Sequence, residues 1–202
     1  MEKKIKHKNK RAQKKRKQKR KQLLNLVSNS VFFLCVCLCL LFLFKVKTHK
    51  VEGSSMFPTL ENGDRIFVNK GAEPKRYSII TLDPLKKKKE SYVKRVIGLP
   101  GDSIWLEGTS LFLNQESSSF IFEPKNSKSS QLPDGTIKIT VNKAVASKIK
   151  GMNQIPKEHY FVLGDNRNHS NDSRSFGFVS AKQIEGVAMY RYYPLNRLGR
   201  LH

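Results

Sequence analysis

Two serines stand side by side in the stretch "VEGSSMFPTL" at residues 51–60. Gly53 permits unusual backbone dihedrals and Pro58 restricts the chain further along, so the stretch is suited to a rigid turn that presents one side chain. A serine hydroxyl becomes a nucleophile when a nearby base takes its proton. Ser54 and Ser55 are therefore candidate nucleophiles, although serine and glycine are also ordinary turn residues.

Histidine is the usual base for such a serine, and the chain has two candidates far from the turn, His159 and His169. Asp165 and Asp172 lie nearby in sequence, so a Ser-His-Asp arrangement is compatible with the composition. However, His159 begins a strand pattern, and His169 lies in the polar stretch "NRNHSND", where a solvated histidine is the ordinary interpretation.

A lysine is the other candidate base. In "SYVKRVIGLPGD", strand alternation places the adjacent cations Lys94 and Arg95 on opposite faces. If one face is the core, one charge is directed inward, and lysine tolerates this better because it can lose its proton when desolvated. A neutral amine in an apolar pocket is a general base near neutral pH. The alternative is a half-buried lysine whose ammonium reaches solvent.

A third stretch, "GDNRNHSNDSRSFG", has more hydrogen-bonding groups than a plain loop needs. An ion pair between Asp172 and Arg174 could hold the loop rigid, and the hydroxyl of Ser170 could orient a neutral lysine amine. Calcium binding is the alternative, but the spacing of acids with a bidentate glutamate that an EF-hand requires is absent. No metal site is predicted.

The scaffold that positions these residues is predicted to be mainly β. From residue 51 onward, short apolar alternations are separated by turn residues, as in "DRIFVNK", "YSIITL", "DGTIKITV", "HYFVLGD" and "GVAMYRYYPL". The stretch "SIWLEGTSLFLNQ" predicts a hairpin around Glu107–Ser110, and "NKAVASKIKGM" has helical character. "LKKKKESY" is interpreted as a solvated loop, and the serine-rich residues 116–131 as a surface excursion.

Residues 23–44, "LLNLVSNSVFFLCVCLCLLFLF", contain no charge and predict a transmembrane helix, since such a helix is roughly 30 Å long. A cleavable signal peptide would be followed by small residues, and "KVKTHKVEG" follows instead. The three cysteines, Cys35, Cys37 and Cys39, all lie within this segment. They are interpreted as small apolar residues, and the rest of the chain has no disulfide.

Residues 1–22 are nearly continuous lysine and arginine with one acid, Glu2, and carry about half of the formal net charge of +23. Such a run cannot form a core and is expected to be disordered. By the positive-inside rule it predicts a cytoplasmic N-terminus and an extracytoplasmic domain over residues 45–202. Contact with anionic lipid headgroups is favoured, and nucleic acid is not expected because no aromatic residues are interleaved for base stacking.

Taken together and in order, "GSSMFPTL", "YVKRVIGLPGD" and "GDNRNHSNDSRSFG" resemble the characteristic motifs of bacterial type I signal peptidases over residues 51–194. The resemblance implies a β-rich Ser/Lys peptidase fold, with an inserted variable lobe at about residues 105–155. Gram-negative relatives have a serine where this chain has Gly53. That glycine and the single anchor make the chain similar to the Gram-positive branch.

The resemblance also implies residue roles. Ser55 would be the nucleophile and Lys94 the general base. The supporting residues would be Ser170, hydrogen-bonded to the lysine, the structural pair Asp172 and Arg174, and Arg95, Gly53, Met56 and Pro58. Without a hydroxyl at Gly53, oxyanion stabilisation rests on the Ser55 N–H and another donor.

The implied reaction is acyl transfer that removes signal peptides from secretory preproteins with small residues at positions −1 and −3. No cofactor is required, and the implied partners are these preproteins, the lipid bilayer and the secretion translocon.

Three other functions are compatible with parts of the sequence. The first is an inactive paralogue that binds peptides without cutting, but such a copy would usually lack Ser55 or Lys94. The second is a polybasic membrane adaptor whose outer domain is incidental. The third is a self-cleaving Ser/Lys regulator; such regulators are soluble and bind DNA, whereas here a transmembrane helix precedes the site.

Overall fold

The computed structural model describes residues 2–83, 91–115 and 134–201. The chain divides into two compact units, Met1–Lys45 and Val46–His202. The first unit is one helix, α1 (Glu2–Lys45), and its portion Lys19–Lys45 is long and apolar enough to cross a membrane. Most of the loop "LKKKKESY" and the excursion at residues 116–131 lie outside the described residues.

The helix α1 includes residues 2–22, where the sequence led us to expect a disordered tail. Lysine, arginine, glutamine and alanine all have high intrinsic helix propensity. Nucleation is the unfavourable step in helix formation, and the apolar segment that follows already supplies a formed helix. Extension toward the N-terminus then needs only propagation, one hydrogen bond for each residue fixed.

The second unit is mainly β, as predicted. Its main sheet has the strand order β1-β2-β10-β3-β4-β8-β9, with β11 paired to β10, among the residues described. All of these pairings are antiparallel. The strands are β1 (Val46–Lys50), β2 (Arg65–Asn69), β3 (Ile79–Leu82), β4 (Tyr92–Gly98), β8 (His159–Leu163), β9 (Val179–Ser180), β10 (Ile184–Tyr193) and β11 (Gly199–Arg200).

A smaller sheet is formed by β5 (Ser103–Glu107), β6 (Ser110–Asn114) and β7 (Thr136–Thr140). The predicted hairpin is confirmed, since Glu107 pairs with Ser110. The helix α2 (Lys143–Ile149) follows, and its N-terminus is capped by the side chain of Asn142. This sheet and helix fall within the range where the inserted lobe was expected.

Strand β4 lies in the middle of the main sheet and positions Lys94. It pairs with β3 through Ile80 and Lys94, and with β8 through Arg95 and Leu163. The chain leaves β8 directly into the polar loop that begins at Gly164. The register therefore brings the second and third sequence motifs together.

The turn at residues 51–60 rests on a core cluster of buried side chains. Met56 is 1% exposed and Leu60 is fully buried, and both pack with residues of β2, β3 and β4. Met56 and Leu60 therefore anchor the turn from below. Ser55, which precedes Met56, is left free to face the neighbouring strands. The cluster consists of Val51, Met56, Leu60, Ile66, Val68, Ile79, Val93 and Ala188.

Candidate active site

Ser55 and Lys94 meet at the end of the turn. The Lys94 ammonium nitrogen Nζ lies 2.9 Å from Ser55 Oγ and 3.0 Å from the carbonyl oxygen of Val93. Lys94 is 3% exposed, whereas Ser55 is half-buried and Ser54 is exposed. The two serines that sequence alone left as candidates are thus distinguished, because Ser55 is the one that contacts a possible base.

The two histidines make other contacts. His159 Nδ1 lies 2.8 Å from the carbonyl oxygen of Lys157, and His169 Nδ1 lies 3.3 Å from the side-chain oxygen of Asn166. Neither ring is hydrogen-bonded to Ser54 or Ser55 in the described part of the chain. The structure does not assemble the alternative Ser-His-Asp arrangement.

Burial makes the charged form of Lys94 unfavourable. Desolvation lowers the pKa of this amine to about 8, and the negative charge of Asp172 opposes the shift only in part. The hydrogen bonds of Lys94 in the described structure go to a hydroxyl and a carbonyl, and it forms no ion pair there. With a pKa near 8, about a tenth of the amines are neutral at pH 7, so a deprotonated base is accessible under ordinary conditions.

Ser170 does not make the hydrogen bond to Lys94 that the resemblance predicts. Its hydroxyl is buried and has no hydrogen-bond partner among the described residues. Gly164 explains how Ser170 comes so close to the turn: a Cβ at Gly164 would lie 2.2 Å from Ser170 Oγ and 2.5 Å from the Ser55 carbonyl oxygen. Only glycine fits between them, a requirement that nothing in the sequence pattern marked.

The predicted pair of Asp172 and Arg174 is formed. The guanidinium nitrogens Nε and NH2 of Arg174 lie 2.8 and 2.9 Å from the two carboxylate oxygens, and Asp172 is fully buried. The backbone N–H of Gly164 also donates to this carboxylate at 3.0 Å. Burial opposes ionisation of Asp172, but the hydrogen bonds from Arg174 and Gly164 outweigh it and lower its pKa. The pair fixes the loop that packs on Ser55.

Arg95 points away from Lys94 and binds both carboxylate oxygens of Asp165 through Nε and Nη2, with two N–O distances of 2.8 Å. It also donates to the carbonyl oxygen of Tyr77. The hydroxyl of Thr59 donates to Asp165 at 2.6 Å. Burial raises the pKa of Asp165, but the bonds from Arg95 and Thr59 outweigh this, so the net shift is downward. Sequence reasoning named Arg95 as supporting and missed Thr59.

The backbone around Ser55 is held by hydrogen bonds on both sides. The Gly53 N–H donates to the side-chain oxygen of Asn62 at 3.1 Å, and Gly53 has a φ of +82°. Asn166 donates its side-chain Nδ2 to the Ser54 carbonyl at 3.1 Å and its backbone N–H to the Ser55 carbonyl at 3.0 Å. No sequence signal pointed to Asn62, because asparagine in a turn is common.

Pro58 follows Phe57, whose ring is 52% exposed. No cluster of three or more histidine, cysteine, aspartate or glutamate side chains suited to a metal ion occurs within the described ranges. The groups that the site brings together are a hydroxyl, a poorly solvated amine and backbone amides.

Comparison with known proteins places this site in a family context. A family described as "Signal peptidase, peptidase S26" matches residues 5–193. The chain is 39% identical over 153 residues to "Signal peptidase I P" of Bacillus subtilis subsp. natto, covering 73% of this chain and 77% of that protein. It is 41% identical over 152 residues to "Signal peptidase I" of Bacillus caldolyticus, covering 73% and 79%. A crystal structure of a signal peptidase I from Enterococcus faecalis V583 is 31% identical, covers 57% of this chain and 97% of that one, and has a TM-score of 0.36.

Proposed function

The chain belongs to the signal peptidase family, peptidase S26, and we propose that Ser55 is its nucleophile and Lys94 its general base. The observation that carries this assignment is the 2.9 Å contact between Ser55 Oγ and the Nζ of a lysine that is 3% exposed. An amine whose pKa is near 8 can accept the hydroxyl proton without a histidine.

The reaction follows from these groups. Neutral Lys94 takes the proton of Ser55 as Oγ attacks the scissile carbonyl, and the tetrahedral oxyanion is stabilised by the backbone N–H of Ser55. Lys94 then gives the proton to the leaving amine, and the acyl group stays on Ser55. Lys94 next takes a proton from water, which attacks the ester, and it returns this proton to Ser55 Oγ as the bond to the acyl group breaks and the signal peptide leaves. Asp172, Arg174 and Arg95 hold the surrounding loop and strand, and Ser170 packs beside Gly164.

The substrates in this proposal are secretory preproteins with small residues at positions −1 and −3. The relatives' names support the substrate class. Met56, next to the nucleophile, and Val93, next to the base, are both buried and apolar. The dyad is thus backed by apolar core side chains, which keep water away from the Lys94 amine.

Membrane anchoring completes the proposal. The apolar part of α1 spans the bilayer, residues 1–22 remain in the cytoplasm because of their positive charge, and residues 45–202 lie outside. Anchoring holds the enzyme and its membrane-bound substrate at one surface, which raises their effective concentration. The exposed Phe57 ring faces the lipid surface, and the secretion translocon and anionic lipids are further partners.

The test compares Ser55→Ala, Lys94→Ala and the matched control Ser54→Ala in detergent-solubilised membranes, with preprotein cleavage followed by gel mobility and mass. We expect the cleavage rate to fall at least about 10³-fold in Ser55→Ala and Lys94→Ala, since each removes a group that acts directly on the reacting atoms. Ser54→Ala should cut normally. Equal cleavage by all three variants would exclude the dyad assignment.

A polybasic adaptor remains the alternative because residues 1–22 carry so much charge. Deleting these residues separates the two functions. Processing by the truncated protein at the wild-type rate in detergent supports the peptidase, whereas loss of processing with an intact outer domain would favour the adaptor.

A further inference from the structure

The peptide group between Ser54 and Ser55 contains the N–H that the proposed mechanism uses for the oxyanion. Among the described residues this N–H has no hydrogen-bond acceptor, whereas the N–H groups two residues before and after it, of Gly53 and Phe57, are bonded. A free, buried or half-buried amide is costly unless a ligand uses it. This N–H contributes to catalysis only if its direction is fixed before the oxyanion forms. Reorienting it during the reaction would cost the free energy that its hydrogen bond to the oxyanion supplies.

Asn166 holds the opposite end of that same peptide group. Its side-chain Nδ2 donates to the carbonyl oxygen of Ser54 at 3.1 Å, and the backbone N–H of Phe57 donates to the same oxygen at 3.1 Å. Asn166 is thus the side-chain donor of the two that hold this carbonyl. The carbonyl and the N–H of one peptide unit lie in one plane and point in opposite directions, so fixing the carbonyl fixes the N–H. A hydrogen bond to the carbonyl also polarises the unit and makes the Ser55 N–H a stronger donor.

The position of Asn166 is itself determined by three contacts. Its backbone N–H donates to the Ser55 carbonyl at 3.0 Å, so its main chain lies against the nucleophile turn. Its side-chain oxygen lies 3.3 Å from His169 Nδ1, a contact that is favourable when that nitrogen carries the proton and that turns Nδ2 toward Ser54. Its preceding residue, Asp165, is held by Arg95.

The glycine at position 53 makes this alignment more important. A Cβ built on Gly53 would have no atom within 4 Å, so no neighbouring side chain occupies the space beside it. No hydroxyl is available from that residue to share the oxyanion charge. The Ser55 N–H must therefore carry a larger part of the stabilisation, and an error in its direction costs more.

We propose that Asn166 is a positioning residue of the oxyanion site, which fixes and polarises the Ser54–Ser55 peptide so that the Ser55 N–H points at the developing oxyanion. The proposal rests on the proposed function, because it assumes attack by Ser55. Asn166 makes no hydrogen bond to the Ser55 hydroxyl in the described structure, so we expect its effect to fall on the transition state. The side-chain oxygen of Asn62 accepts the Gly53 N–H two peptide groups earlier, and it does not act on the Ser55 donor itself.

The experiment uses the full chain in detergent with a synthetic signal-peptide substrate. Asn166→Ala removes the Nδ2 donor but keeps the backbone N–H, and Asn166→Asp keeps the shape but removes the donor. The matched control is Asn168→Ala, because Asn168 is an exposed asparagine two positions away in the same loop. We expect kcat to fall about 10- to 100-fold in both Asn166 variants with KM unchanged, less than the loss on removing an oxyanion donor outright.

A transition-state readout distinguishes positioning from a structural role. A peptide boronate forms a tetrahedral adduct with a serine, whereas the corresponding product peptide does not. Affinity for the boronate should fall in step with kcat, and affinity for the product peptide should stay at the wild-type value. Thermal unfolding is measured alongside, and if Asn166→Ala does not fold, Asn166→Asp supplies the comparison.

The outcomes separate the two proposals. Asn166 variants as active as Asn168→Ala, while Ser55→Ala is inactive, would overturn the positioning role and leave the dyad intact. Equal losses of boronate and product affinity would also overturn it, since they indicate general disruption. Activity in Ser55→Ala would instead overturn the proposed function.

Discussion

Lys94 and Arg95 are adjacent basic residues on strand β4, and their surroundings differ. Arg95 binds the carboxylate of Asp165, with its Nε and Nη2 each 2.8 Å from a carboxylate oxygen. Lys94 is buried against a hydroxyl and a carbonyl, and its pKa falls to about 8. One cation is stabilised in its charged form and the other is destabilised.

The difference shows how one strand can provide both support and chemistry. A guanidinium stays protonated in proteins, so it suits the side of β4 where a permanent ion pair joins the strand to the Asp165 loop. An amine can lose its proton when desolvated, so it suits the side that faces the nucleophile. Alternation along the strand separates the two environments by a single residue.

The largest expected effect on activity comes from replacing Lys94 with the other type of cation, arginine. Lys94→Arg keeps a positive charge but introduces a group that does not deprotonate, so we expect cleavage to fall by at least about 10³-fold. Preprotein cleavage by the purified variant measures this. Retention of more than a tenth of wild-type activity would show that a neutral base at this position is not needed.

Removing the charge of Asp172 tests two roles of this carboxylate, its ion pair with Arg174 and its effect on the pKa of Lys94. Asp172 is fully buried, and Asp172→Asn leaves Arg174 without its carboxylate, so we expect a loss of about 3 kcal/mol in unfolding free energy. Because Asp172 raises the pKa of Lys94, the midpoint of the activity profile should also move to lower pH.

The control for Asp172 is Glu185→Gln, which breaks a more exposed pair with Lys47. This change should cost no more than about 1 kcal/mol. Chemical denaturation of both variants measures the two costs, and equal costs would contradict the structural importance of the buried pair.

The pH dependence of kcat/KM tests the pKa of Lys94 directly. The active form is the neutral amine, whose fraction rises with pH through the folded-state pKa of about 8. We therefore expect activity to increase about tenfold between pH 7 and pH 9 and then to level off. A profile that is flat over this range, or that falls with increasing pH, would argue against lysine as the base.

The smallest expected effect is that of Arg95→Lys. This change keeps the charge near Asp165 but loses the two-pronged geometry and the bond to the Tyr77 carbonyl. We expect a few-fold loss of activity at most and a lower unfolding temperature, with no shift of the pH midpoint. A loss as large as that of Lys94→Arg would mean that Arg95 takes part in the reaction.

Much of the fold and the central pair of the site can be predicted from local patterns. Alternation identified the strands around Lys94 and the hairpin at Glu107–Ser110, because the side chains of a strand repeat every two residues. The likeness of three motifs identified Ser55 and Lys94 as candidates for one site, and the structure places them 2.9 Å apart.

The remaining features depend on contacts between distant segments. Gly164 is required because Ser170 and Ser55 converge on it, and Asn166 matters because its loop lies against Ser54. Neither requirement leaves a periodic signal in the sequence. The helical state of residues 2–22 was not predicted, because composition was considered without the adjoining apolar helix, which supplies the nucleus.

The place of β10 in the sheet has a consequence for biosynthesis. This strand, Ile184–Tyr193, lies between β2, which follows the nucleophile turn, and β3, which pairs with the strand bearing Lys94. It is made about 90 residues after Lys94, so a chain still emerging from its ribosome has both reactive residues but not the strand that joins their halves of the sheet. The sheet that positions Ser55 and Lys94 therefore cannot be completed until residues 184–193 have been made.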